Sequence, residues 1–446
     1  LPIGPIAATR ESGWVDNRDR RGSNVTEAVS RPASQEDRID VAIGGGGLSG
    51  HLMALVLADA FGDDLSVAVF DPAPRFGGMS DDPRAYAISA ASQMLLETVG
   101  VWDAVAEHAQ PIREIRLTDN SLDAAVRKPL LAYDNAIEHP LTGERSPASY
   151  IVPNAAIADA VVSRLLSHRS VRRVQAGIDD LSLSPERVDL SAGGAQYAAR
   201  LMIAADGARS RLRGRAGIKV VRRDHRQKAI VTIVAHDVPH QGVAVQHFLP
   251  AGPFAILPMV GNRSCVTWSE DARRADAIVA MDDADFLAEL DHRFGAQLGE
   301  LRLVSSRKTF PLATQIAREM TANRFALIGD AAHAVHPIGG QGLNLAIRDI
   351  AALAECIADA QQVGLDAGDA SVLSRYARWR RFDNVMSATA FASLNRSFSN
   401  DFALLRSARE FGLSVVDRIP GVKQRLVDEA AGLSGDVPKL LRGMTV

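Results

Sequence analysis

The residues best placed to do chemistry lie between Leu327 and Asp349, in the stretch LIGDAAHAVHPIGGQGLNLAIRD. An apolar strand ends at Gly329 and Asp330, a loop carries His333, His336 and Pro337, and the run Gly339-Gly340-Gln341-Gly342 opens a helix predicted from about Leu343. The first N–H groups of a helix lack internal partners and sit at the positive end of its dipole. A glycine-rich turn into a helix start therefore attracts an anionic or electron-rich group, which here would rest on the backbone of Gly342, Leu343 and Asn344. The same pattern also describes an ordinary strand-to-helix turn. His333 and His336 have helix-like spacing, but they sit beside Pro and Gly with no recognisable third ligand, so no metal is assigned.

A second glycine loop, far upstream, narrows the choice. Ile39 to Ile43 reads as a short buried strand, followed by GGGGLSG and the apolar, helix-forming run HLMALVLADAF. Gly45, Gly47 and Gly50 fit G-x-G-x-x-G in the context that motif requires. The first permits a tight turn, the second lets a pyrophosphate approach the backbone, and the third allows close helix–strand packing. The next strand, Ser66 to Phe70, ends in Asp71, 21 residues beyond Gly50, where a carboxylate would take the ribose hydroxyls of an adenosine. Arg84, in DPRAYAIS, either reaches the cofactor phosphates or is an ordinary surface arginine. Farther on, the strand Leu201 to Ala205 runs into Asp206-Gly207 and the basic helix start Ala208 to Arg213; Asp-Gly is a turn signal in its own right, and the basic start suits phosphate.

These motifs need a scaffold that brings them together. At 446 residues the chain exceeds one typical core, and its 47% hydrophobic content is ample to fill more than one. Pro153-Asn154 opens an amphipathic helix, Ala155 to Leu166, while Arg113 to Tyr150 is irregular and strand-like. From Ala229 to Thr267 short alternating strands recur between turn signals and predict an antiparallel sheet outside the nucleotide domain. An insertion of that size creates a cleft where small ligands bind. The formal charge of −3 offers no basic field for nucleic acid. Cys265 and Cys356 form no CxxC pair, which fits a reducing, cytoplasmic setting and argues against a disulfide scaffold. Leu1 to Arg38 has no apolar run and is expected to be a disordered leader, and no stretch reaches the 18 or so apolar residues of a membrane span.

Taken in this order and at these separations, the glycine loop, DGxxSxxR at Asp206 to Arg213, and GDAAH at Gly329 to His333 resemble the group A flavoprotein aromatic hydroxylases. More narrowly, DPRAYAIS, FLPAGPFAILP and HPIGGQGLNLAIRD resemble the ubiquinone-biosynthesis hydroxylases of the UbiH type. Two features depart from the pattern: Asp71 stands where Glu is common, and the leader is longer than usual. The resemblance implies an α/β fold like that of p-hydroxybenzoate hydroxylase: a Rossmann-type FAD-binding domain (39–112, 150–218 and 308–362), an inserted antiparallel-sheet substrate domain (113–149 and 219–307), and a C-terminal helical segment (363–446).

The resemblance further implies that Gly45, Gly47 and Gly50 hold the FAD pyrophosphate, Asp71 the adenosine ribose and Asp330 the ribityl chain. Asp206 would lie near the pyrophosphate and Arg84 would face the cofactor. Gly342, Leu343 and Asn344 would sit at the pyrimidine edge of the flavin, whose negative charge on reduction suits a helix start. His333, Pro337, Gly340 and Gln341 would shape the flavin face, with no catalytic acid–base pair assigned. NAD(P)H or another donor would reduce FAD, and O₂ would supply the oxygen atom placed on a polyprenylated phenol. An assembly of ubiquinone-biosynthesis proteins and peripheral contact with the inner membrane are the partners implied. The same fold also serves isoprenoid reductases, and a non-catalytic FAD-holding scaffold is a reading from a different class. Finally, Leu404, Ala408, Phe411 and Val415 recur at helical spacing and predict an amphipathic helix over Asn400 to Arg418, either packed on the cofactor domain or exposed to a prenyl tail.

Overall fold

The computed structural model describes residues 38–73, 82–119, 129–337, 340–381 and 422–446. Its organising element is an eight-stranded sheet begun by the strand Arg38–Gly44, which pairs in parallel with Val67–Phe70 on one side and Ala195–Ala204 on the other. Val171–Val174 and Phe325–Leu327 extend the parallel portion, while Val188–Ala192 and Ile178–Leu183 add antiparallel strands at one edge. Val41, Ala42, Ile43, Val69, Leu201 and Met202 are buried, the continuous apolar pattern of strands covered on both faces. Helix Leu48–Phe61 buries Gly50 through Ala58 without interruption, and packs with helices Asn154–Leu165 and Gly342–Gln362 around the sheet.

A nine-stranded sheet forms the second layer. Its order is His333–Ala334, Lys308–Ala317, Val220–His236, Arg263–Asp271, Gly252–Met259, Val243–Leu249, Glu114–Asp119 and Leu131–Asp134, with Leu301–Leu303 beside Val220–His236. It is not wholly antiparallel as expected, because Val243–Leu249 and Glu114–Asp119 run in parallel. Glu114–Asp119 comes from the earlier chain segment and reaches this edge by a long crossover, which permits parallel pairing where a hairpin would not. Lys308–Ala317, placed by sequence in the cofactor domain, belongs to this sheet, and its partner Val220–His236 starts well before Ala229. Residues 221–224 are all exposed, so that part of the strand lacks the alternation by which strands are recognised.

The register between those two long strands shifts once. Asp224 lies opposite Ala313 and Gln227 opposite Leu312, leaving His225 and Arg226 in a bulge with Arg226 at φ +56°. Helices Ala272–Val279 and Asp283–Phe294, capped by the carboxylates of Asp271 and Asp282, cover one face of the sheet and enclose Trp268, Phe254 and Phe286. Arg293 is buried with them, 4.3 Å over the Trp268 ring and 2.5 Å from Glu289. A small sheet of Ala85–Ser89, Ser149–Pro153 and Gln110–Pro111 bridges the two layers.

Past Gln362 a helix over 370–381, a helix at Val422–Ala431 and a turn at Lys439–Arg442 close the described chain. The helix expected over Asn400 to Arg418 falls outside the described residues, as does the expected leader up to residue 37. No helix among the described residues is long and apolar enough to cross a membrane. The 370–381 helix is fastened at Tyr376, whose buried hydroxyl donates to the Leu327 carbonyl at 2.7 Å. Tyr376→Phe is expected to lower stability by about 1–2 kcal/mol, since it strands a buried carbonyl without changing the packing. The unfolding midpoint in urea measures this.

Candidate cofactor site

The glycine loop is shaped by contact as well as by conformation. Gly45 has φ +113°, and a Cβ there would lie 2.5 Å from the Ala205 carbonyl oxygen; at Gly50 a Cβ would lie 1.9 Å from the Gly45 oxygen. A Cβ at Gly47 would meet nothing within 4 Å, so the middle of the loop faces open space. Gly47 is also the residue before helix Leu48–Phe61 and supplies no side-chain cap, which leaves the first N–H groups of that helix free to receive an anion. Asp71 stands at the end of its strand as expected. Its carboxylate accepts the Gly46 N–H at 2.5 Å and the Ala73 N–H at 2.7 Å, which fixes it beside the loop, and each oxygen keeps a lone pair for a further donor.

The Asp206 turn packs directly on this loop, with Ala205 N–H donating to the Gly44 carbonyl at 2.8 Å. One oxygen of Asp206 accepts the N–H groups of Arg211 and Leu212, at 2.8 and 3.1 Å, and so caps the short helix Arg211–Arg215. The other, Oδ1, is buried with no hydrogen-bond partner. Arg213 is buried and donates to the carbonyl of Ala331 at 2.7 Å, tying the second motif to the third.

That third motif turns sharply at Gly329, φ +57°, where a Cβ would lie 3.0 Å from Ser49 Oγ of the glycine loop. All three motifs thus meet. Asp330 is open to solvent, yet dense protein around it withholds enough water to raise its carboxyl above the usual range, against the pull of His333 and Arg84. Arg84 forms a forked contact with Asp82, with Nε at 2.9 Å and Nη2 at 2.6 Å, and its guanidinium lies 4.9 Å over the Phe310 ring. Pro337 is half-buried, and Gly340 has φ +64° with its Cα side against Ala87; Ile338 and Gly339 lie outside the described residues.

Helix Gly342–Gln362 begins one residue before the predicted start, and Gln341, at its cap, makes no capping bond. The backbone N–H groups of its first turn remain available, as expected, but the Asn344 side chain is otherwise engaged. It donates to the Ala87 carbonyl at 2.8 Å and accepts the Ser89 N–H at 3.1 Å, tethering the helix start to the strand that directly follows Arg84.

His333 is the main correction. It is 1% exposed and lies in the short strand His333–Ala334 rather than on an open face, with Nε2 donating to Asp349 Oδ2 at 2.6 Å. Asp349 also accepts the Gly329 N–H at 3.0 Å and Arg380 Nε at 2.9 Å. Burial alone would push the Asp349 carboxyl up; the neighbouring His333 and Arg380 outweigh it and hold the group below the usual range. This buried trio anchors the turn that bears Asp330. His336 is fully buried too, edge-on to His225 at 5.3 Å, and burial with His225 beside it lowers its pKa to about 3. Asp349, Tyr376 and Arg380 were missed by sequence reasoning. The available signal was a carboxylate, Asp349, on the otherwise apolar side of a helix, which requires a buried partner.

The assembly fits a dinucleotide cofactor: a loop that excludes side chains at two glycines and is open at the third, an orphaned buried oxygen at Asp206, and an accessible carboxylate at Asp330. The comparisons agree. A family model described as FAD binding domain matches residues 38–386. The chain is 37% identical over 418 residues to the ubiquinone hydroxylase UbiL of Rhodospirillum rubrum, covering 91% of this chain and 93% of that protein. It is 32% identical to the 3-demethoxyubiquinol 3-hydroxylase of Escherichia coli, covering 88% of this chain and 98% of that protein. Among solved structures, p-nitrophenol 4-monooxygenase PnpA from Pseudomonas putida superposes with a TM-score of 0.73 at 21% identity, over 90% of this chain and 99% of that one, which speaks for the fold. Motifs, sheet order, family model and relatives lead to one conclusion: the chain belongs to the FAD-binding-domain family of flavoproteins that includes these ubiquinone hydroxylases.

Proposed function

We propose that this protein is an FAD-dependent monooxygenase that hydroxylates the aromatic ring of a polyprenylated phenol in ubiquinone biosynthesis. The observation that carries the proposal is the meeting of three distant motifs at one place, in a chain whose relatives over most of its length include ubiquinone hydroxylases. In the overall reaction one atom of O₂ enters a ring C–H bond as hydroxyl. The other leaves as water with two electrons and two protons from a reductant. FAD, when bound, supplies the electron storage and the activation of O₂.

The protein's own residues bind, orient and keep water out. The Gly45–Gly50 loop and the helix start behind Gly47 would hold the pyrophosphate, Asp71 the ribose, and Asp330 the ribityl hydroxyls, with Asp206 Oδ1 turned toward the phosphate region. Arg84, held by Asp82, would keep a positive charge beside the cofactor. Pro337, Gly340 and Gln341 would line its ring, while His333 acts from beneath through Asp349. Phe310, Leu257, Ile233, Ala85 and Ala87 pack in one apolar cluster between the small and large sheets, which suits an aromatic ring and excludes water. With a single G-x-G-x-x-G loop, a nicotinamide reductant would visit the FAD cleft rather than a domain of its own.

Asp330→Ala tests the site. The loss of a hydrogen bond to a charged acceptor is worth about 1.5–3 kcal/mol, so FAD affinity should fall about ten- to hundredfold, read from flavin fluorescence on titration. Full retention of FAD by that variant would count against the assignment. Consumption of NAD(P)H and O₂, with and without a prenylated phenol, tests the reaction. A hydroxylase couples both to product, an isoprenoid reductase uses the reductant with no oxygen in the product, and a scaffold uses neither.

A further inference from the structure

Between Asp206 and Lys228 the chain carries nine Lys and Arg against two Asp, a formal charge of +7 in a protein whose total is −3. Arg213 is buried and Lys228 is paired with Asp276, while the other seven, from Arg209 to Arg226, are exposed. None of the seven forms an ion pair with a carboxylate among the described residues. Elsewhere, Arg187 and Arg302 are matched by Asp189 and Asp237 at 2.9 and 2.8 Å, and Arg145 by Asp134. Like charges left unmatched this densely repel one another, and a complementary anionic surface relieves the repulsion.

The shape of the strip narrows what that surface is. Lys219, Arg222, Arg223 and Arg226 lie on or beside Val220–His236, where residues 221–224 and 226 are exposed and only His225 between them is half-buried. With His225 and Arg226 bulged, Val221 to Gln227 runs beside four partner steps, Ile316 to Leu312, and at about 3.3 Å per residue spans about 13 Å. A free pyrophosphate offers a few charges within a few ångströms and would occupy only a fraction of this length. Val221, 59% exposed, sets an apolar side chain among the cations. An anionic lipid surface offers charge along the whole strip and accepts an apolar side chain at the boundary between headgroups and acyl chains. An acidic protein matches the cations but makes no particular use of Val221.

We propose that the strip from Arg209 to Arg226 is a docking surface for an anionic lipid bilayer. Its bearing on function rests on the hydroxylase reading above. Arg222 lies opposite Gln315, which lies opposite Ala334, so the strip is two strands from the segment that carries Asp330. Docking there holds the enzyme against the phase in which a prenylated phenol dissolves.

The test is flotation of the full-length, FAD-loaded protein with vesicles of phosphatidylcholine alone, or of phosphatidylcholine mixed equally with phosphatidylglycerol. The protein is expected to float with the anionic vesicles at low salt, to stay behind with the neutral ones, and to be released as salt rises. A cation near such a surface is worth about fivefold in binding, so Lys219→Gln, Arg222→Gln, Arg223→Gln should together lower it about a hundredfold. Arg222→Lys, Arg223→Lys should keep it, and removing the same charge at Arg145, Arg187 and Arg302 should leave it nearly unchanged. Equal binding to neutral vesicles, full binding by the triple Gln variant, or equal loss in the distant control would each overturn the proposal. Absence of binding to anionic vesicles would overturn it too and give the strip to an acidic protein. The vesicles hold no phenol and the readout is binding, so failure of the hydroxylase reading appears separately, in flavin content and turnover.

Discussion

Asp349→Ala is expected to cost about 3–5 kcal/mol of folding stability, because removing one member of a buried ion pair leaves the other uncompensated. Arg380 and His333 are each 1% exposed, and the Gly329 N–H would lose its acceptor in the same stroke. Equilibrium unfolding in urea measures the change, and a variant within about 1 kcal/mol of the parent would show that the trio contributes only packing. The effect depends on pH with a definite sign. The Asp349 carboxyl is held below its usual range in the folded protein, so its contribution is complete above about pH 4 and is lost as pH falls through the lower, folded value. The parent should therefore lose stability on acidification below about pH 4 more steeply than Asp349→Ala.

Gly50→Ala is expected to purify without FAD. A Cβ at that position would sit 1.9 Å from the Gly45 carbonyl oxygen, so the backbone of the turn has to move, and that backbone is the surface proposed for the pyrophosphate. Gly47→Ala makes the informative contrast. Its φ of −75° suits any residue and nothing lies within 4 Å, so the variant should fold with an unchanged unfolding midpoint while FAD binding weakens. The ratio of flavin to protein absorbance separates the two cases. A fully yellow Gly50→Ala protein would refute the placement of the phosphate loop.

What could be read from the sequence was local. The strand, loop and helix around Gly45, Gly47 and Gly50 and the strand end at Asp71 were legible because each lies within about one βαβ unit, where turn chemistry and apolar runs decide the outcome. The helix start at Gly342 was placed to within one residue for the same reason. What escaped was settled by contacts between distant segments. The sequence neighbours of His333 are loop residues and point to the flavin face. Its true environment is set by Asp349 and by Arg380, on a helix no motif announces. The place of Lys308–Ala317 in the chain points to the cofactor domain, whereas its sheet is chosen by pairing with Val220–His236. The Asn344 side chain likewise bonds backbone groups more than 250 residues earlier, a tether that no local pattern announces and that leaves the expectation for its backbone N–H untouched.

The bulge at His225 and Arg226 governs how the long strand tolerates changes in length. Across it Val220–His236 advances three residues, Asp224 to Gln227, while its partner advances one, Leu312 to Ala313. Both steps are odd, so the two strands change face together and the inward positions beyond the bulge, such as Ala229 and Val231, still match the core. Removing both bulge residues would leave every side chain on its present face. Removing one would leave two residues opposite one, a one-residue bulge that keeps the flanking faces through a local kink and stronger twist. The bulge is thus a reserve of chain length, able to give up one or two residues while Ala229 and Val231 keep facing the core.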